Sequence, residues 1–290
     1  MTAEARQKAL DDIAAEVRVC TRCRLHQNRT NAVPGEGHPD TEVVFVGEGP
    51  GYNEDQQGRP FVGAAGGLLS DLLASVGWDR REVFITNVVK CRPPGNRDPE
   101  PDEIAACRPY LERQLKMLDP ALVVTLGRFS MTTFMPGARI SSAHGTLRPV
   151  DPATGAQDAL AFAMYHPAAA FRQNALKETL RSDMAEIPGA LIRARELRED
   201  HRADATREAG TVPAATPPVE SMPVMAEPVG VVTEPVEAAA VASPSAAVRQ
   251  PAAVSLDVPP LDADTVPAVV WAPDADLWEG FDVAPGEARR

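Results

Sequence analysis

Residues 42–63, EVVFVGEGPGYNEDQQGRPFVG, place a run of strand-forming residues directly before a loop rich in glycine. The first five letters are typical of a buried strand, and the remainder holds five glycines, two prolines and three carboxylates. Because glycine lets the main chain approach a ligand closely, this loop is a candidate binding loop. We expect no helix directly after its first glycines, which argues against a dinucleotide-binding fingerprint.

The alternation of strand and helix continues along residues 1–200. Three more apolar runs predict strands, and a shorter run predicts an additional one: residues 83–89, 121–126, 160–165 and 145–149. Apolar residues at helical spacing predict helices at residues 4–19, 65–76, 101–118, 128–135 and 174–199. This order predicts an α/β fold, a three-layer αβα sandwich with a central four-stranded parallel sheet. The loops that follow the four strands then meet at one edge of the sheet, where such folds bind ligands.

Residues 201–290 differ in composition from the rest of the chain. They hold 14 Asp and Glu, five Arg, no Lys and 13 of the 28 prolines, and they carry −9 of the net charge of −12. Because no periodic apolar face is present, we expect a disordered C-terminal tail after a folded domain of residues 1–200. Aromatic and acidic residues at 271–282 suggest a short motif for a protein partner. With no apolar run long enough for a membrane span and no secretory signal, we expect a cytoplasmic protein.

Four cysteines have the spacing of metal ligands. Cys20 and Cys23 form a CxxC pair, while Cys91 and Cys107 stand at either side of a proline-rich segment. In a reducing compartment this set favours a four-thiolate metal site over disulfides, but spacing does not separate zinc from a [4Fe-4S] cluster. The alternative is that Cys91 and Cys107 are small buried core residues.

Four segments together carry a family resemblance: GEGPGYNEDQQGRPFVGAAG, ITNVVKCRPPGNRDP, ACRPYL and HPAAAFR. In this order they resemble the iron–sulfur uracil-DNA glycosylases, the type 4 family, over about residues 4–195. The resemblance implies a [4Fe-4S] cluster on the four cysteines and action on uracil in single- or double-stranded DNA. We expect a monomer associated with the nucleoid. The segment between Asn87 and Cys107 has no histidine, which argues against the subgroup that forms a covalent adduct with DNA.

Recognition of uracil requires a group that reads its Watson–Crick edge after the base has left the stack. The carboxamide of Asn87 offers one donor and one acceptor, which match uracil O4 and N3–H and mismatch cytosine. By the resemblance, Phe61 stacks on the flipped base; the alternative is an ordinary core aromatic. The glycines of the loop bring main-chain N–H groups close to the nucleotide, namely Gly47, Gly49 and Gly51. Gly49 stands where the family prefers alanine.

Two positions are candidates for the bond-breaking chemistry. His166, after the fourth strand, can donate a hydrogen bond to uracil O2 as negative charge develops there. Glu48 can orient water and offset positive charge on the sugar. Glu54 and Asp55 are second candidates, and the resemblance implies that Glu54 crowds the C5 side of uracil and excludes thymine. The alternative for Glu54 and Asp55 is a solvated turn or a helix cap. His144 is expected to be structural.

Contacts with DNA phosphates are expected from five arginines, Arg59, Arg92, Arg97, Arg128 and Arg172. The segment 91–101 is expected to present two of them, Arg92 and Arg97, to a partner. Phe171, where the family has leucine, is expected to fill the gap left by the flipped base. Two other functions fit the same residues: a nonenzymatic iron–sulfur binder of damaged DNA or redox sensor, and a zinc-stapled nucleotide-binding module.

Overall fold

A six-stranded sheet forms the centre of the protein. The computed structural model describes residues 1–210, with side chains to residue 203. The strands are β1 (Glu36–Gly37), β2 (Val43–Gly47), β3 (Phe84–Asn87), β4 (Leu122–Leu126), β5 (Leu147–Pro149) and β6 (Leu160–Met164). Their order is β1-β3-β2-β4-β6-β5, and the four central strands run parallel. The predicted four-stranded parallel core is therefore confirmed.

Two short antiparallel strands extend this core at its edges. β5 pairs with β6 and lies within the predicted segment 145–149. β1 pairs with β3, and the sequence does not predict it because two residues are too few to show a pattern. Gly37 in β1 has a φ of +145°, and a side chain there would overlap the backbone of β3. The edge strand thus needs glycine at this position.

Helices cover both faces of the sheet. They are α1 (Ala3–Val19), α2 (Tyr52–Gln57), α3 (Ala64–Ser75), α4 (Pro101–Leu118), α5 (Arg128–Phe134), α6 (Ile140–Ala143) and α7 (Ala175–Gly210). Alternate residues of β2 point to opposite faces: Val44 and Val46 pack with α1 and α4, and Phe45 packs with α3 and α7. Because each face of a parallel sheet is buried by helices, the four central strands are mostly apolar and every residue in them is buried. The three-layer αβα arrangement is confirmed.

Three helices differ from the sequence prediction, and one of them is α6, a four-residue helix where none was predicted. α2 begins directly after Gly51, although no helix was expected there; six residues are too short for a periodic signal. Its first turn is closed by Glu54, whose side chain accepts from Gly51 N, and Gly58 ends it with a φ of +67°. The predicted end of α7 at residue 199 is too early, since helix-forming Arg, Glu and Ala continue it to Gly210.

The C-terminal predictions fall on residues that the structure does not describe. The disordered tail and the motif at residues 271–282 lie outside the described residues, except that α7 extends past residue 200. Within residues 1–210, no helix combines the length and apolar composition that crossing a membrane requires.

Candidate functional site

The register of the parallel strands brings three sequence-predicted residues, Gly47, Asn87 and His166, to one edge of the sheet. Gly47, the last residue of β2, lies opposite Asn87, the last residue of β3. Gly127 follows β4 and donates its N–H to Met164 O at the end of β6, at 2.9 Å. His166 comes two residues after Met164, and a Cβ added at Gly127 would lie 3.0 Å from His166 Cβ. The predicted meeting of the strand exits is therefore present.

Asn87 provides a buried polar group at this edge. Its side chain is 1% exposed, and its Oδ1 accepts no hydrogen bond from any described residue. Its backbone carbonyl accepts from Lys90 Nζ at 2.8 Å. Buried polar atoms almost always have a hydrogen-bond partner. A buried acceptor without one is suited to accept a hydrogen bond from a donor group of a ligand.

Gly47 allows Asn87 and Phe61 to approach the same point. A Cβ at position 47 would overlap Asn87 Oδ1 and would lie 2.7 Å from Phe61 Cζ, closer than real Cβ atoms come. Glycine is required here for space. The amide of Asn87 and the ring of Phe61 consequently border one small volume above the end of β2.

The aromatic rings of Phe61 and His166 lie together on one side of this volume. The Phe61 ring is 5% exposed, and its centroid is 5.7 Å from that of the His166 imidazole, with the planes tilted by 30°. Phe61 has a φ of +51°, a left-handed conformation that bulky residues adopt rarely and that marks functional sites. An aromatic ring held in this way can stack against a planar ligand.

His166 is a neutral hydrogen-bond donor. Its Nδ1 accepts from Ala168 N at 3.2 Å, and since a backbone N–H can only donate, Nδ1 carries no proton. Burial lowers the pKa of His166 to about 4, so the imidazole is neutral at pH 7 and its proton resides on Nε2. The predicted neutral donor is thus the form that the fold supports.

Glu48 follows Gly47 and is half-buried. Burial is the main cause that raises the pKa of Glu48 to about 8, and the Asp98 carboxylate acts in the same direction. The Arg128 guanidinium lowers it in part, and Arg128 is itself bonded to Asp98 at 2.6 Å. A carboxyl group with a pKa near neutrality can take up a proton during a reaction.

Glu54 holds the loop together through backbone N–H groups. Its Oε1 accepts from Val62 N and Gly63 N, each at 2.8 Å, and its Oε2 accepts from Gly51 N at 3.2 Å. A Cβ at Gly51 would come 2.8 Å from Glu54 Oε2. This arrangement agrees with the helix-cap alternative from the sequence. It also means that Glu54 fixes backbone N–H groups both before and after Phe61 in the chain.

Asp55 and Gly49 also face protein groups. Asp55 is 2% exposed and accepts from Thr30 N at 2.9 Å, so it fixes the segment before β1. A Cβ at Gly49 would lie 2.8 Å from Val89 Cγ2, so the alanine that the family prefers would require Val89 to shift.

The candidate DNA contacts are divided between internal pairs and the surface. Arg97 donates two bonds to Glu103, which is fully buried, so its guanidinium supports the segment before α4. That Arg97 is presented to a partner stays a prediction, since 35% of its side chain is exposed beside this pair. Arg59 pairs with Glu36 at 2.7 Å. Phe171 is 42% exposed, and Arg172 beside it is exposed as well.

The four cysteines line one cavity together with Tyr110 and other side chains, and all four are free thiols. N–H groups point at their sulfurs: Lys90 N lies 3.2 Å from Cys107 Sγ, and Arg29 Nη1 lies 3.1 Å from Cys91 Sγ. Among the described residues no group of three or more Cys, His, Asp or Glu is arranged around a single ion. Four soft sulfur donors around one cavity, with N–H groups directed at Cys91 and Cys107, fit the ligands of a metal cluster.

The comparison with known proteins decides the family. The model of the uracil DNA glycosylase superfamily matches residues 34–186, more than half of the chain. The chain belongs to the uracil DNA glycosylase superfamily. It is 47% identical over 185 residues to a type-4 uracil-DNA glycosylase of Sulfurisphaera tokodaii, covering 62% of this chain and 83% of that protein.

Other relatives lie at two levels of similarity. A type-4 uracil-DNA glycosylase of Archaeoglobus fulgidus is 45% identical over 185 residues, which is 62% of this chain and 92% of that protein. A type-5 uracil-DNA glycosylase of Thermus thermophilus is 33% identical over 118 residues, which is 36% of this chain and 53% of that protein. The similarity to the type-4 proteins therefore extends over more of the chain.

Sequence reasoning missed two basic residues of this uracil DNA glycosylase superfamily member. Lys90 is 1% exposed, and its Nζ donates to Thr86 Oγ1, Asn87 O and Gln114 Oε1 at 2.6–2.8 Å. Its backbone N–H meets Cys107, so one residue joins the cysteine cavity to Asn87. Arg80 donates to the carbonyls of Pro60 and Phe61. The one sequence signal concerned Lys90, which directly follows the apolar residues Val88 and Val89 after β3.

The space at Gly47 predicts opposite effects for two Gly→Ala substitutions. Gly47→Ala should lower the free energy of unfolding by about 1–3 kcal/mol, because the new methyl group overlaps Asn87 and Phe61. Gly67→Ala, in α3, meets nothing within 4 Å and should raise it by up to about 1 kcal/mol. Urea denaturation of both variants measures the difference; equal stabilities would contradict the crowded position of Gly47.

Proposed function

We propose that this protein removes uracil from DNA by hydrolysing the N-glycosidic bond, leaving an abasic site for base excision repair. The observation that carries the proposal is Asn87 Oδ1, a buried acceptor with no partner among the described residues, beside the Phe61 ring. The relatives that cover most of their own length on this chain are named type-4 uracil-DNA glycosylases.

Base recognition follows from the amide and the ring. Oδ1 of Asn87 accepts from uracil N3–H, and its amino group donates to uracil O4, while Phe61 stacks on the base. Cytosine presents an amino group and an unprotonated N3 at these positions, so it would leave buried groups unpaired. Such a mismatch discriminates strongly because the cost of an unpaired buried group is not recovered.

Bond cleavage uses His166 and Glu48. As the C1′–N1 bond breaks, its electron pair goes to uracil, and the Nε2–H of His166 stabilises the negative charge that develops at O2. The Glu48 carboxylate orients a water molecule, whose oxygen forms the new bond to C1′. Glu48 then takes up the proton that this water releases. Glu54 serves the reaction by shaping the loop that carries Phe61, and Asp55 by fixing the neighbouring segment.

DNA binding involves the exposed end of a short 3₁₀ helix, Pro167–Phe171, that follows β6. Phe171 fills the gap left by the flipped base, and Arg172 contacts a phosphate. We also propose that the protein acts as a monomer on single- or double-stranded DNA at the nucleoid. The motif at residues 271–282 is proposed to bind a protein partner on the basis of its composition.

The four cysteines are proposed to hold a [4Fe-4S] cluster. The resemblance to the iron–sulfur type 4 glycosylases supports this assignment; four thiolates around one cavity would also suit a tetrahedral zinc ion, so the metal content decides between the two. Cys20, Cys23, Cys91 and Cys107 would hold the cluster, and these ligands would then tie α1 to α4 and to the segment after β3.

An oligonucleotide assay tests the proposed activity. A uracil-containing single strand is incubated with protein and then with alkali, which cuts abasic sites; we expect cleavage at uracil and none at thymine. Asn87→Asp should lower the rate at least about 100-fold, because a carboxylate cannot donate to O4. The exposed Asn28→Asp is the matched control and should stay within about twofold.

The same assay separates the alternatives. If the folded, cluster-bearing protein binds uracil-containing DNA but does not cleave it, the proposed enzyme is wrong. The result would then favour a nonenzymatic binder of damaged DNA. Wild-type rates in Asn87→Asp would remove Asn87 from base recognition.

The pKa of Glu48 predicts the pH profile. If the ionised carboxylate is the active form, kcat/KM rises with pH and levels off above about 8. Asp98→Asn removes a like charge and releases Arg128, so it should move the rise to lower pH. Because folding raises this pKa above its usual 4.5, the group also makes stability fall as pH increases from about 4.5 to 8.

Glu48→Gln supplies the control for both pH effects. It should abolish the rise in kcat/KM and reduce the loss of stability over that range. A profile that Asp98→Asn leaves unmoved, or a rise that persists in Glu48→Gln, would contradict the assignment.

Metal analysis tests the cysteine site. Protein purified without oxygen should contain about four iron and four sulfide per chain. Cys20→Ser and Cys107→Ser should each lose iron, and His26→Ala, which changes another residue of the cavity, should retain it. One zinc per chain in the wild type, or full iron in the cysteine variants, would contradict the cluster.

A further inference from the structure

The backbone around Phe61 is held in an uncommon conformation by two charged side chains. Phe61 has a φ of +51°, which costs free energy for a bulky residue and persists only when the surroundings impose it. Glu54 binds the two N–H groups that follow, those of Val62 and Gly63. The two carbonyls of Pro60 and Phe61 require a separate partner.

Arg80 is that partner. Its Nη1 donates to Phe61 O at 2.8 Å and its Nη2 donates to Pro60 O at 2.8 Å, so one planar guanidinium spans two successive peptide groups. Nη2 also lies 3.0 Å from Glu36 Oε1, and both side chains are mostly buried. A planar fork with fixed donor directions can impose an orientation that a single ammonium cannot.

Space beside the Phe61 carbonyl group is closed by α3. A Cβ at Gly66 would overlap the carbonyl carbon and oxygen of Phe61, so the helix backbone touches this peptide. The ring beyond it lies against Gly47 and 5.7 Å from the His166 ring. A change in the Phe61 backbone would therefore move the ring relative to Asn87 and His166.

We propose that Arg80 is a positioning residue which, anchored by Glu36, fixes the backbone of Phe61 so that its ring lies where a flipped base stacks. This inference rests on the proposed function. Arg80 itself does not touch the base; its effect on excision passes through Phe61.

A double-mutant cycle tests this route. In the uracil assay, Arg80→Ala should lower kcat/KM by about 10- to 100-fold, as small displacements of positioning groups do. Arg81→Ala, the neighbouring exposed arginine that pairs with Asp79, should stay within about twofold. In a Phe61→Ala background, adding Arg80→Ala should change kcat/KM less than about twofold, because the two residues act as one unit.

Two further readouts separate positioning from loss of folding. Arg80→Lys keeps the positive charge beside Glu36 but cannot span both carbonyls, so it should fold as the wild type does and still lose activity. The inhibition constant for free uracil should rise in Arg80→Ala and Arg80→Lys, and should be unchanged in Arg81→Ala. Thermal unfolding of each variant accompanies these measurements.

The outcomes are distinct. Wild-type kcat/KM in Arg80→Lys, or an undiminished effect of Arg80→Ala in the Phe61→Ala background, would overturn the role of Arg80 while leaving uracil excision intact. A wild-type protein without excision would overturn the proposed function and, with it, this inference.

Discussion

The close approach of Gly47, Asn87 and Phe61 is the contact on which the candidate site depends. The parallel pairing of β2 with β3 places Gly47 opposite Asn87, and no side chain larger than hydrogen fits between the Asn87 amide and the Phe61 ring. The same register carries Gly127 and His166 to that edge through β4 and β6. Apolar strands buried on both faces fix this register, because a shift by one residue would turn each core side chain toward the opposite layer.

Charged side chains then hold the loops that the strands cannot hold. Glu54 and Arg80 bind the peptide groups on either side of Phe61, while Lys90 binds the end of β3 and its backbone contacts Cys107. The bonds from Gly63 to Glu54 and from Arg80 to Phe61 span 9 and 19 residues, whereas Lys90 bonds to Asn87 three residues before it. The site is thus a rigid arrangement supported by buried polar contacts, which is what selective recognition of a small planar base requires.

Sequence patterns predicted the fold and the edge of the sheet where the site lies. Apolar runs gave the four central strands and most helices, and the rule for parallel sheets placed Asn87 and His166 together. The pattern could not predict β1 or α2, since two and six residues are too few for a period. It could not assign Arg80 or Lys90 either, because their partners depend on tertiary packing and leave no local signal.

The most direct test of base recognition by Asn87 is a crystal structure of the protein with uracil bound. The account predicts uracil stacked on Phe61, with its N3 and O4 each within about 3.2 Å of the Asn87 side-chain amide. Cytosine soaked under the same conditions should leave this position empty. Uracil bound away from Asn87, or cytosine bound equally well beside it, would contradict the account.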